Sequence, residues 1–123
     1  MGVEFKLTRR IPQDRPDVAV LHLSGWLDAQ AEEQLVAAVK SAKDNGAKYV
    51  LLDLGGVNTI TRAGIRGIQK SFGVLTPKGE TTLGRLKLCN ASPQVREVLS
   101  ITGLLISVPM YESEDIAVDS FGK

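Results

Sequence analysis

The sequence predicts an α/β domain on a mixed, mainly parallel β-sheet of about five strands, with about four α-helices. Three observations lead there. From residue 17 onward, strand-like and helix-like segments alternate, the order that right-handed βαβ crossovers produce. In KYVLLDL, Lys48 to Leu54, both faces read apolar, as an interior parallel strand covered by helices on each side must. Ahead of these, VEFKLTRR (Val3 to Arg10) and DVAVLHLSG (Asp17 to Gly25) alternate around the turn-rich IPQDRP, which reads as an N-terminal antiparallel hairpin.

A chain of 123 residues with 43% apolar content can fill one continuous core, so residues 1–123 are expected to form a single domain. After the hairpin, Ala31, Leu35, Ala38, Val39 and Ala42 recur at helical spacing, which leaves Glu32, Glu33, Lys40 and Lys43 mainly to water. Asn45-Gly46 closes that helix. The strand over Lys48 to Leu54 leads into GGVNTITRAGIRG, and Ile65, Ile68 and Phe72 then continue at helical spacing until Pro77. LTPKGETTLG reads as a long, mobile, exposed turn. The strand RLKLCN precedes Ser92-Pro93, a serine N-cap with proline at the first helical position, ahead of Val95, Val98 and Leu99. Gly103 ends that helix, and LLISV is read as the last strand. Ser113 then caps a helix in which Glu114 and Asp115 favour the positive end and Ile116, Ala117 and Phe121 form the apolar stripe.

Composition narrows the function classes. Fifteen basic against fourteen acidic residues give a formal charge of +1 with no block of like charge, so no nucleic-acid footprint is present. The single cysteine, Cys89, lies in the apolar LKLCN, which argues against disulfides or a cysteine-rich metal site and for a buried, inert thiol. The N-terminus lacks a signal-peptide core, Lys6 stands where a myristoylation motif needs Ser or Thr, and no apolar run reaches about 18 residues. The expectation is a cytoplasmic protein without membrane insertion.

In sheets of this kind, sites gather beyond the C-terminal ends of the parallel strands. Three loops should meet there, spanning Gly25 to Ala29, Gly55 to Arg62 and Asn90 to Pro93. Their chemistry is sparse. VNTITRAGIRG offers the hydroxyls of Thr59 and Thr61 and the cation of Arg62, but no carboxylate, histidine or cysteine to activate a nucleophile. Asp28 fits an N-cap and Asp53 a carboxylate that binds loop amides, better than the two fit an acid–base pair. His22, the sole histidine, has no sequence neighbour that makes a dyad or metal site, so it is read as packed or edge-facing. The glycines have neither P-loop nor dinucleotide spacing, and Gly64 and Gly67 are read as close packing at a helix start. Trp26 either closes the core or anchors a partner, with the core preferred. No catalytic residue, cofactor or metal is expected.

The segments AVLHLSGWLDAQAEEQL, YVLLDLGGVNTITRAGIRGI and GRLKLCNASPQVREVLSITGLL, with GxLD before the first helix and LCNxSPxVxxVLxxTG later, resemble the STAS domain of bacterial anti-sigma factor antagonists. The similarity spans nearly the whole chain, and TTLG looks like a small insertion after the second helix. The resemblance implies a STAS-like fold and a noncatalytic protein-binding module in transcriptional regulation. Its partner would be an anti-sigma factor, often itself a serine kinase, or another STAS-containing regulator, a homodimer being a further form. In that family the kinase phosphorylates a Ser or Thr at the start of the second helix, and the unmodified antagonist sequesters the kinase and frees a sigma factor. The motif commonly reads Asp-Ser-Ser-Gly-Leu, or Ser-Ser-Ala-Gly-Leu-Arg in one branch, and Thr61-Arg62-Ala63-Gly64-Ile65-Arg66 lies on the same positions. The usual acceptor is therefore Arg62, which cannot accept phosphate, and Thr61 and Thr59 remain as displaced acceptors. Carried over position by position, the partner surface comprises Asp28, Val57, Asn58, Thr59, Ile60, Thr61, Arg62, Gly64, Arg66 and Ser92. An alternative is a STAS scaffold subunit in a stressosome-like or transporter-associated assembly. Some members bind nucleotides, but no phosphate cradle is seen here, so no tight cofactor is expected.

Overall fold

In the computed structural model, residues 4–76 and 84–122 are described. Much of the turn read in LTPKGETTLG lies outside them. Ten elements follow in order: β1 (Lys6–Arg10), β2 (Val18–Leu27), α1 (Ala29–Asp44), β3 (Tyr49–Ile60), α2 (Arg62–Leu75), β4 (Leu86–Cys89), α3 (Pro93–Ile101), α4 (Leu104–Ser107), β5 (Met110–Tyr111) and α5 (Glu114–Ser120). The sheet order is β1-β2-β3-β4-β5, with β1 antiparallel to β2 and every other pair parallel. This is the mixed, mainly parallel sheet that the alternation predicts.

Strand alternation divides the core in two. Ala19, Leu21 and Leu23 of β2, Val50, Leu52 and Leu54 of β3, and Leu86 and Leu88 of β4 face one way, against the apolar faces of α1, α2 and α3. Val18, Val20, Leu51 and Cys89 face the other way, against Ala117 and Val118 of α5 and Phe121 just beyond its end. Because α5 is only one short helix, it covers just part of that second face. Arg15 pins its far end by donating to the carbonyls of Val118 (3.0 Å) and Phe121 (3.2 Å). Lys87 does the same through Ser120 Oγ at 2.7 Å, with its ammonium over the rings of Phe121 and Tyr111. Among the described residues, no helix is long and apolar enough to cross a membrane.

The structure corrects several expectations. LLISV is a single helical turn, α4, and the last strand is the short β5 after it. Gly103 takes φ 78°, a left-handed turn that ends α3 and restarts the chain as helix. Leu104 and Val108, four apart, are then buried while Ile106 is 84% exposed, which is helical rather than strand spacing. In α5 the stripe is Ala117, Val118 and Phe121, and Ile116 faces outward. Glu32 is buried on α1 rather than solvated. Gly25 to Leu27 and Gly55 to Ile60 are strand, not loop, because β2 and β3 keep pairing past two register shifts.

Candidate functional site

Since β2 and β3 stay paired, through two register shifts, as far as Leu27 and Ile60, the helices that follow them start side by side. Asp28 caps α1, its Oδ1 accepting from the amides of Gln30 (3.1 Å) and Ala31 (3.2 Å). Thr61 caps α2, but its Oγ1 meets the Gly64 amide only at 3.4 Å, beyond the usual range, so this hydroxyl is loosely held. The two starts are tied by the Thr61 amide, which donates to Leu27 O at 3.0 Å. Gly64 makes that approach feasible, since a Cβ there would lie 2.1 Å from the Leu27 carbonyl oxygen. The reading of Gly64 as a packing glycine agrees with this, whereas a Cβ on Gly67 would meet α1 only at ordinary contact distance, 3.4 Å from the Glu32 Cα.

Thr61 and Arg62 are exposed at this corner, as are Asn58 and Thr59 before it, whereas Val57, Ile60 and Gly64 are buried beneath. A concavity of about 600 Å³ brings Thr61 and Asp28 together with Trp26, Phe5, Gln30 and Gln34. Trp26 does not close the core: it is on β2 beside Thr59 and 37% exposed. Asn58 and Thr59 border a smaller groove of about 160 Å³ shared with Gln94 and Val98 of α3. Ser92 caps α3 through Val95, at 3.3 Å. Arg66 lies behind the corner and grips Glu32 with two 2.9 Å bonds, while about half of its side chain (52%) stays exposed. Lys70 adds a third contact at 2.8 Å, and together Arg66 and Lys70 hold the Glu32 carboxyl down at about 2.

A second cluster occupies the sheet face that α5 leaves open. Register places His22 of β2 opposite Asp53 of β3, and Glu114, at the start of α5, closes over both. Asp53 binds the Gly55 amide at 2.8 Å, the loop-amide role read from the sequence, and accepts from Asn90 Nδ2 at 3.1 Å. Burial pushes the Asp53 carboxyl upward, but bonds with Glu114, Gly55 and Asn90 outweigh it and hold the group below the usual carboxylate range. Glu114 moves the other way, raised first by its hydrogen bond with Asp53 and then by burial, against the pull of Arg10. Burial drives the thiol of neighbouring Cys89 up to about 12, so it is inert. Sequence reasoning missed the cluster because Glu114 arrives from the far end of the chain. The one local sign was the polar pair His22 and Asp53, each set in an otherwise apolar strand.

Residues 10–117 match the model of the STAS domain. BtrV of Bordetella bronchiseptica, whose name places it among anti-sigma factor antagonists, is 31% identical over 113 residues, covering 91% of this chain and 94% of BtrV. The crystal structure of an anti-sigma factor antagonist from Mycobacterium paratuberculosis superposes with a TM-score of 0.80 at 18% identity, over 98% of this chain and 96% of that one. The anti-sigma factor antagonist SpoIIAA in its unphosphorylated form gives 0.71 at 25% identity, over 94% of each chain. By its family match and its identity to BtrV, the chain belongs to the STAS domain family.

Proposed function

We propose that this chain is a noncatalytic anti-sigma factor antagonist that binds an anti-sigma factor, or a serine kinase of that class, through the paired starts of α1 and α2. One observation carries the reading: Thr61, followed by the exposed Arg62, lines with Trp26 and Asp28 a concavity of about 600 Å³. Trp26 supplies a large amphipathic anchor of the kind that dominates binding energy at interfaces. Asp28 is committed to helix amides, which favours a positioning role over acid–base work.

Arg62 gives the surface its character. A helix N-terminus carries roughly half a positive charge, so a guanidinium there gains nothing for the helix. Its use is outward, as a fixed cation for an acidic patch on the partner. A phosphoserine would bring about −1.5 to −2 charges to the same point, so arginine differs from it by roughly three units and holds the surface in its binding state. Calorimetry with the anti-sigma factor that co-purifies from the native cell should show Arg62→Ala weakening binding about tenfold, through lost charge-assisted bonds, and Arg62→Glu weakening it further. Unchanged affinity in both would remove Arg62 from the interface. After incubation with the kinase and ATP, any label belongs on Thr61 or Thr59, and stoichiometric Thr61 phosphorylation that releases the partner would overturn the fixed state. Turnover abolished by Asp28→Ala or Asp53→Ala would overturn the noncatalytic reading. Capture of a transporter or sensor-array protein instead would favour the scaffold alternative.

A further inference from the structure

We propose that His22, Asp53 and Glu114 form a binding site for a divalent transition-metal ion of the Zn²⁺ class, on the sheet face that α5 leaves uncovered. The site is separate from the helix-start corner and independent of the function read there. His22 Nδ1 lies 3.4 Å from Asp53 Oδ2 and 3.2 Å from Glu114 Oε2, and one ligand atom from each residue falls within 4.8 Å of the others. Both His22 distances lie within ion-pair range but are longer than the about 2.7–2.9 Å of an aligned charge-assisted hydrogen bond. They match the edge of a tetrahedron around an ion: bonds of about 2.0–2.1 Å put neighbouring ligands about 3.3–3.4 Å apart.

The surroundings hold the ligand atoms in place. In each carboxylate one oxygen is fixed from outside, Asp53 Oδ1 by the Gly55 amide at 2.8 Å and Glu114 Oε1 by the Arg10 guanidinium. The other oxygen of each is thereby turned toward the imidazole. Asn90 Nδ2 also reaches Asp53 Oδ2, at 3.1 Å, a contact a ligating oxygen can keep on its second lone pair. The carboxylates are largely buried, with side chains 11% and 19% exposed, so a divalent cation between them would offset their repulsion. His22 is 39% exposed and borders, with Asp53 and Asn90, a cavity of about 470 Å³. That cavity, which Lys6 also lines and Glu114 does not, opens the His22 and Asp53 side of the cluster to an entering ion. One imidazole with two carboxylates favours Zn²⁺ and its neighbours over Mg²⁺, which takes oxygen ligands.

The test uses the tag-free full chain titrated with ZnCl₂ alone. His22 is the sole histidine, so its imidazole NMR signals report the site without ambiguity. One equivalent should shift those signals and raise the unfolding temperature. Glu114→Gln and Asp53→Asn should each weaken the titration at least tenfold. Circular dichroism of the metal-free variants checks that each is folded, and Glu114→Gln, at the rim, is the safer of the two. His22 signals unmoved at millimolar zinc would overturn the site. So would binding undiminished in both folded variants, and MgCl₂ producing the same shifts would overturn the ion class. No partner protein enters the experiment, so its failure leaves the antagonist reading untouched.

Discussion

Glu32 ties α1 to α2 with a single carboxylate. Arg66 supplies a two-pronged grip and Lys70 a third contact, and they hold its pKa at about 2, below the ordinary 4.5. A carboxyl depressed in the folded state stabilises fully above its unfolded pKa and loses that contribution as pH falls through the folded value. Glu32→Gln should therefore lower the unfolding temperature at neutral pH, with the gap from the parent closing between about pH 4.5 and about pH 2. Thermal melts across that range test it, and a gap independent of pH would mean that the charge is not what matters. Other residues were legible because their partners are adjacent: Asp28, Ser92 and Ser113 cap the amides that follow them, as the sequence indicates. Glu32 was not, since its partners, Arg66 and Lys70, sit a helix away and 34 and 38 positions along the chain.

Among the elements, α5 depends most on one side chain. Phe121 is 2% exposed and stacks on Tyr49 with ring centroids 5.0 Å apart, and the Lys87 ammonium lies 4.9 Å from its ring centroid. Phe121→Ala should cost about 3–5 kcal/mol in urea unfolding, the usual toll for a buried aromatic. A loss under about 1 kcal/mol would mean that α5 is held by Arg15 and the remaining contacts instead. Helix starts were readable because caps are local chemistry. Strand ends were not: β2 and β3 extend to Leu27 and Ile60 by pairing with each other, and glycines in both strands hid that continuation. LLISV was ambiguous for a different reason, since a run of five mostly apolar residues is too short for its period to separate a strand from a helical turn.

For the molecule as a whole, the order of elements was legible because strands and helices alternate. The His22 cluster was not, because three parts of the chain assemble it only once register and the path of α5 are fixed. The sheet also has two ends, and their make-up bears on how copies of the chain behave when crowded. β5 contributes only Met110–Tyr111 at one edge. At the other edge β1 displays Lys6, Arg9 and Arg10, all exposed. An unpaired strand invites another chain to add to it, and positive charge or brevity blunts that tendency. Replacing Lys6 and Arg9 together by valine should leave the fold intact yet raise light scattering in concentrated solution, and equal scattering from variant and parent would show that the basic edge is not protective. With one edge short and the other basic, neither offers a second copy of the chain a long apolar template on which to start a fibre.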